Sequence, residues 1–361
     1  MVSTLRTGQY LVHNFHSLVL VDIWYIYYYY YYENPSLSLE IGTSPVPYAM
    51  PPPPLGGKFW DKRRPPIDPT HLSFKGKTVL VTGATSGIGF RAAIKYAELG
   101  ASTLILGVRS AEKGEKAKAE ILRRVRAKSS PSPVPVEIEI IIKLVDLSTF
   151  ASVKEFAKDV SESVGQLHVV QLCAGIMTPS FRLGAEGYEA AFQVNVLSTA
   201  LMALLLLPKV QETALTGSDD GYMPHISFLN SSLSEDALRK WIPTDQTLVQ
   251  QVNNASRFDH KSQYYLVKLA ARYFVEGLAA HCKEASPRGE TNIIVNCSCP
   301  AMCCGTALHR EYPWYVRSFV LAPYKAICGR KPEHGSRSLV SAAGLGLESH
   351  GKLWINDTLP E

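Results

Sequence analysis

The strongest constraint on how this chain can fold is the junction at residues 77–89. The segment KTVLVT at 77–82 is apolar at its centre, ends at Gly83, and passes through Gly87 and Gly89 into a helical pattern over 87–99. A short apolar run bounded by glycine suits a strand covered on both faces. In the helix, Ile88, Ala92, Ala93, Tyr96 and Ala97 fall on overlapping faces that can lie against such a strand. The alternation then repeats. Strand patterns fall at 103–106, 136–145, 167–173, 225–230, 292–297 and 352–355, and helical patterns at 111–128, 149–164, 186–210 and 264–282. Strands alternating with helices make βαβ units, so the spacing predicts an α/β domain built on a doubly wound parallel sheet. About 30 residues between the fifth strand and the helix at 264 show no period and read as an irregular insertion, the kind of long loop that carries function.

The first 49 residues break the pattern. They hold nine of the 18 tyrosines, seven of them at 25 and 27–32, and a tyrosine run has no period that buries one face. Met50 and the prolines at 51–54 follow. The expected organisation is a poorly structured extension over 1–49, a Pro-rich linker over 50–74 and one folded domain over 75–358. Three readings of the extension stay open: upstream bases read as codons before a start at Met50, a disordered tail, or a membrane anchor at 17–32. The anchor spans about 16 residues where ~20 are needed to cross, and it contains Asp22. A secretory signal fits worse, because His13 and His16 interrupt the apolar run and no small-residue cleavage site follows.

Hydrophobic residues make up 46% and charged residues 19%, which supports a sizeable core and argues against wholesale disorder. A net charge of +5 is too small an excess to indicate a nucleic-acid partner. Seven cysteines, six of them beyond residue 281, do not form the even, dispersed set of a secreted disulfide framework. They point to reduced thiols and a cytoplasmic setting, or a membrane-associated one if the extension is an anchor.

The turn Thr82-Gly83-Ala84-Thr85-Ser86-Gly87-Ile88-Gly89 carries the first chemical signal. Its glycines let the backbone approach a pyrophosphate, and the helix that follows aims free N–H groups and its positive dipole end at the phosphates. At the end of the second strand, an Asp or Glu would bond a ribose 2′-hydroxyl and repel a 2′-phosphate. Gly107-Val108-Arg109-Ser110 stands there instead. The Arg109 guanidinium can clamp a phosphate in a bidentate fork, which favours NADP over NAD; the plain alternative is an arginine opening a solvated helix. Tyr264 and Lys268 lie four apart on a helical pattern and share a face. A free phenol, with a pKa of about 10, is a poor base at neutral pH, and an adjacent ammonium and a nicotinamide cation are expected to lower it. Such a tyrosine can pass a proton to or from an alcohol or carbonyl oxygen. A Tyr-x-x-x-Lys spacing alone is common by chance.

In this order, the motifs resemble the short-chain dehydrogenase/reductase family, in its single-domain Rossmann branch, over about residues 75–358. The resemblance implies that Gly83, Thr85, Ser86, Gly87, Ile88 and Gly89 form the cofactor turn and that Asp146 and Leu147 meet the adenine ring. Cys173 stands where the family has the asparagine before Ala174-Gly175. Asn195, Ser232, Tyr264 and Lys268 match the catalytic tetrad, Ser232 being the second of two serines that close the fifth strand. By resemblance, Tyr264 is the acid in reduction and the base in oxidation, and Ser232 donates a hydrogen bond to the substrate oxygen. Lys268 holds the nicotinamide ribose and lowers the tyrosine pKa, while Asn195 fixes a water that links Lys268 to solvent. There are departures. Val267 precedes the lysine where serine or alanine is frequent, Pro300-Ala301 replaces Pro-Gly, and the cofactor threonine falls one place late at Thr306, with Gly305 in its slot. The style of Leu229-Asn230-Ser231-Ser232 and Ser298-Cys299-Pro300 also resembles filamentous-fungal reductases that tailor secondary metabolites.

The expectation is therefore an NADP(H)-dependent oxidoreductase that interconverts a carbonyl and an alcohol on a medium-sized lipophilic molecule. The alternatives are a non-catalytic NADP-binding sensor on the same fold and a membrane-tethered, retinol-dehydrogenase-like enzyme. The expected partner is a small-molecule substrate, not nucleic acid, and the resemblance adds a possible homodimer through the helices of Asn195 and Tyr264. No metal site is expected: Cys297, Cys299, Cys303 and Cys304 form no CxxC pairs and lack well-spaced histidines. The apolar stretch 197–207 reads as core, and the basic run 123–128 as a solvated helix end.

Overall fold

The computed structural model describes residues 64–129, 137–217, 220–241, 245–284 and 291–360. Expectations for the extension at 1–49 and for the linker up to residue 63 lie outside the described residues. Seven strands form one sheet: β1 (Thr78–Thr82), β2 (Thr103–Val108), β3 (Glu139–Leu144), β4 (Val169–Leu172), β5 (His225–Leu229), β6 (Ile294–Cys299) and β7 (Leu353–Ile355). Their order is β3-β2-β1-β4-β5-β6-β7 and every pairing is parallel. The doubly wound parallel sheet is thus the one the alternation predicts. Strand order reverses between β1 and β4, and a crevice opens there beyond the carboxyl ends of the strands.

The period-two alternation of β1 divides the core. Val79 and Val81 face one layer with Ala92, Ala93 and Tyr96 of α1 (Gly87–Glu98), Ile121 of α2 (Ala111–Ser129), and Leu339 and Val340 of α8 (Pro332–Ala342). Leu80 faces the other layer with Val153 and Phe156 of α3 (Phe150–Ser163), Leu201 and Leu206 of α4 (Ala190–Thr216), and Leu266 of α7 (His260–Glu284). The helix α4 is long and apolar enough to cross a membrane by length and composition, but 83% of its most apolar window is buried inside the protein. It is a core helix. At Gln193–Ser198 it widens into a π turn, a local change that often marks a functional position.

Two regions differ from the expectation. The insertion after β5 is not irregular: it holds α5 (Leu233–Lys240) and the short α6 (Leu248–Val252), which opens on a capping box between Thr247 and Gln250. Five to eight residues are too few to display a helical period. The helix α7 begins at His260, before Tyr264, because the Asp259 carboxylate accepts the Ser262 N–H at 2.9 Å. Residues 64–74, assigned to the linker by composition, lie against the domain. Asp68 pairs with Lys95 at 2.9 Å, Arg337 donates to the Pro66 carbonyl at 3.1 Å, and the buried Phe74 ring meets Tyr96 edge-on at 4.8 Å.

Candidate active site

The cofactor turn is set by space. A Cβ on Gly89 would lie 2.7 Å from the Gly83 carbonyl oxygen, so only glycine lets α1 start so close to the end of β1. Gly83 and Gly87 take φ of +66° and +61°. A Cβ on Gly83 would press on the Ala174 backbone at 3.1 Å, so the ends of β1 and β4 meet backbone to backbone. The Thr82 hydroxyl holds them there by accepting the N–H groups of Cys173 and Ala174 at 3.0 and 3.2 Å. Ser86, at the N-cap of α1, makes no capping side-chain bond, and Thr85 and Ile88 are half-buried beside it. Thr306 lies across the turn, its Cβ and Cγ2 3.6 Å from where a Gly87 Cβ would stand. The one-place-late threonine therefore reaches the turn after all.

The other expected cofactor residues take different postures. Arg109 is exposed just past β2 and has no ion pair among the described residues; the neighbouring Ser110 hydroxyl accepts the Lys113 N–H at 3.3 Å. Asp146 is exposed, and its carboxylate accepts the Ser148 N–H at 2.9 Å. Leu147 is buried in the α3–α4 layer, and its carbonyl accepts the Ser198 hydroxyl at 2.6 Å. The Cys173 side chain is buried in the α1 layer and burial pushes its thiol far up, so Cys173 offers the cleft its backbone.

The carboxyl end of β5 carries Ser232, α7 carries Tyr264 and Lys268, and the π turn of α4 carries Asn195. The two serines after β5 have separate tasks. The Ser231 hydroxyl accepts the Leu233 N–H at 3.2 Å and so closes the start of α5. Ser232, at the N-cap of α5, makes no capping bond. Among the described residues its hydroxyl is met only by the Cys299 thiol, at 3.8 Å, and the same sulfur accepts the Ser232 N–H at 3.3 Å. A thiol is a weak donor, so this hydroxyl can turn to a stronger acceptor. Cys299, at the end of β6, is a functional neighbour that the sequence reading did not assign. It touches Ser232 and acts electrostatically on both Tyr264 and Lys268.

The buried Lys268 donates from Nζ to the Leu229 carbonyl at 2.9 Å, which ties α7 to the strand end that carries Ser232. Its ammonium lies 5.8 Å from the centre of the Tyr264 ring. Burial pushes Lys268 down to about 8, against the pull of the Cys299, Cys297 and Cys173 thiols. The expected lowering of the Tyr264 phenol does not come from the protein. Burial raises it above the ordinary phenol range, and Cys299 and Tyr312 raise it further. Desolvation outweighs an ammonium that reaches no closer. Asn195 is fixed by its side chain. Its Oδ1 accepts the Ile176 N–H and its Nδ2 donates to the Ile176 carbonyl, each at 2.8 Å. The carboxamide thus holds the segment after β4 rather than presenting itself to solvent.

The four cysteines near β6 point to different partners. Cys303 lies 3.6 Å from the Pro300 carbonyl and Cys304 3.0 Å from that of Arg330. No cluster of three or more His, Cys, Asp or Glu side chains able to hold a metal occurs among the described residues.

Comparison with known proteins agrees with this geometry. Residues 77–218 match the family model for short chain dehydrogenases. The short-chain dehydrogenase/reductase phmF of Phaeosphaeria nodorum is 37% identical over 302 residues, covering 83% of this chain and 83% of that protein. The short-chain dehydrogenase/reductase ffsI of Aspergillus flavipes is 36% identical over 310 residues, covering 84% of each. Among solved structures, L-sorbose reductase from Gluconobacter frateurii, complexed with NADPH and L-sorbose, shares the fold with a TM-score of 0.55 at 17% identity, covering 80% of this chain and 97% of that one.

Proposed function

The chain belongs to the short-chain dehydrogenase/reductase family, and from that premise we propose that it is an NADP(H)-dependent reductase of a carbonyl group on a medium-sized lipophilic molecule. The observation that carries the reading is that Lys268 of α7, 5.8 Å from the Tyr264 ring, grips the Leu229 carbonyl at the carboxyl end of β5, the strand end that carries Ser232, whose hydroxyl caps no helix. The glycine turn fits a dinucleotide: Gly83 and Gly87 take left-handed φ, and Gly89 lets α1 start hard against the end of β1, which aims the free N–H groups of its first turn at a pyrophosphate. Gly83, Gly87 and Gly89 would hold its phosphates and Lys268 its ribose. A bound nicotinamide supplies the hydride.

Arg109 supports NADP over NAD: it is an exposed guanidinium, without an ion pair among the described residues, where a carboxylate would select the other cofactor. L-sorbose reductase, which shares the fold, is complexed with NADPH in its solved structure. Ser232 donates its hydroxyl proton to the carbonyl oxygen and orients it. Tyr264, held protonated by its burial, transfers its proton to that oxygen as negative charge develops there. The fungal relatives support a tailoring step in secondary metabolism. A second copy of the chain, docked through α4 and α7, completes the reading.

The test is Tyr264→Phe. NADPH consumption across a panel of ketones, aldehydes and enones should stop while NADPH binding, followed by fluorescence, persists. Turnover at the wild-type rate would overturn the mechanism.

A further inference from the structure

A cavity of about 230 Å³ opens beside the cleft, bounded by Thr306, the residue that faces Gly87 across the cofactor turn. Three cations converge on it: Arg310, Arg317 and Lys325. Arg310 and Arg317 have no ion pair among the described residues. Lys325 donates from Nζ to Nδ1 of His309 at 3.1 Å, and burial with the nearby lysine pushes His309 down to about 4, so the imidazole is a neutral acceptor. No carboxylate lines the cavity, and the one nearby in sequence, Glu311, pairs with Arg182 at 2.9 Å. Like charges around one concavity repel, and an anion entering it would relieve that repulsion through charge-assisted hydrogen bonds.

The cavity connects to the acid–base tyrosine. His309 lies 5.5 Å, ring to ring, from Tyr312. Tyr312 is buried, and its hydroxyl has no hydrogen-bond partner among the described residues. Tyr312 is close enough to Tyr264 to act on it electrostatically.

We propose that this cavity receives an anionic group, a carboxylate or a phosphate, at the end of the substrate remote from the carbonyl. The inference rests on the carbonyl-reductase reading only for the placement of that carbonyl at Tyr264. The arm that supplies two of the cations could instead suggest an anionic membrane, because Trp314 is 65% and Phe319 72% exposed. However, Arg317, Leu321 and Lys325 follow one another by four residues and line the cavity, whereas Phe319 and Val320 do not line it, although Arg317 is exposed as they are. A bilayer contact needs its cations flanking the apolar face, not gathered in a concavity.

The experiment is calorimetric titration of the full chain with NADPH present, using 3-benzoylpropanoate and its methyl ester as probes. The acid should bind at least about tenfold more tightly than the ester, and in the Arg310→Gln/Arg317→Gln double variant that ratio should fall toward one. Equal affinities in the unaltered protein, or acid binding untouched by the double variant, would overturn the proposal. So would a double variant that loses NADPH affinity but keeps the acid–ester gap, because the cations would then serve the cofactor phosphates. Uptake by phosphatidylglycerol vesicles without acid binding would likewise overturn it in favour of a membrane surface. Tight, arginine-dependent acid binding without any NADPH consumption would leave the anion site standing and remove the reductase reading instead.

Discussion

Asn195 grips Ile176 by both polar groups of its backbone, with two 2.8 Å hydrogen bonds from a single side chain. A carboxamide matches this pair because it carries one donor and one acceptor side by side. Asn195→Ala leaves both Ile176 groups without their partner and should cost about 2 kcal/mol of stability. Asn195→Asp should cost more, because a carboxylate would face the Ile176 carbonyl. Urea unfolding midpoints check the order; an Asn195→Asp variant as stable as the unaltered protein would show that the amide donor contributes nothing.

Gly89→Ala tests the cofactor turn. The new Cβ would lie 2.7 Å from the backbone oxygen of Gly83, a contact that no side-chain rotation relieves. The turn must shift, and NADPH affinity should fall by about tenfold or more, a loss of at least ~1.4 kcal/mol. Circular dichroism should stay unchanged, because alanine itself favours a helix. Fluorescence titration with NADPH measures the loss.

Arg109→Asp should move preference from NADPH toward NADH. The substitution removes a phosphate clamp and adds a carboxylate that repels the 2′-phosphate. The ratio of kcat/KM for the two cofactors should change by at least about tenfold, the effect of one charge-assisted contact. An unchanged ratio would remove the cofactor assignment while leaving the proton chemistry intact.

Stability should weaken in mild acid through His168. Its Nδ1 accepts the Thr78 N–H at 3.0 Å, and burial, with Lys77 nearby, pushes its pKa down from 6.5 to about 4. A base with a depressed folded pKa contributes fully above its unfolded value and loses that contribution as pH falls. The window therefore runs from about pH 6.5 down to about pH 4, and the loss reaches up to ~3 kcal/mol. His168→Asn keeps an acceptor but cannot titrate. It should flatten the stability profile across that window in urea titrations.

Much of the fold was legible because its strands are buried on both faces and stand out as short apolar runs. The helices α5 and α6 were not, since they are too short to show a period, and the Thr247-x-x-Gln250 spacing that caps α6 is a signal the sequence reading passed over. The tetrad residues could be named from spacing and resemblance, but their surroundings could not. Cys299 meets Ser232 from 67 positions away, a contact made by the adjacency of β5 and β6. The raised Tyr264 phenol is a product of packing, which spacing does not report. The change from Pro-Gly to Pro-Ala could be read directly, but its meaning could not. Ala301 holds a φ of 54°, a left-handed posture that costs a residue with a Cβ about 1–2 kcal/mol.

The Phe74 ring braces Tyr96, whose hydroxyl donates to Gln171 at 2.9 Å, and Gln171 in turn donates to the Ser227 carbonyl at 3.1 Å. This seam runs from the segment ahead of β1, through α1, into two central strands. Residues 64–74 therefore act as a wedge at the margin of the layer between α1 and β1, and trimming the polypeptide to residue 75 would open that margin to water. Lys95 would lose its Asp68 counter-ion in the same cut.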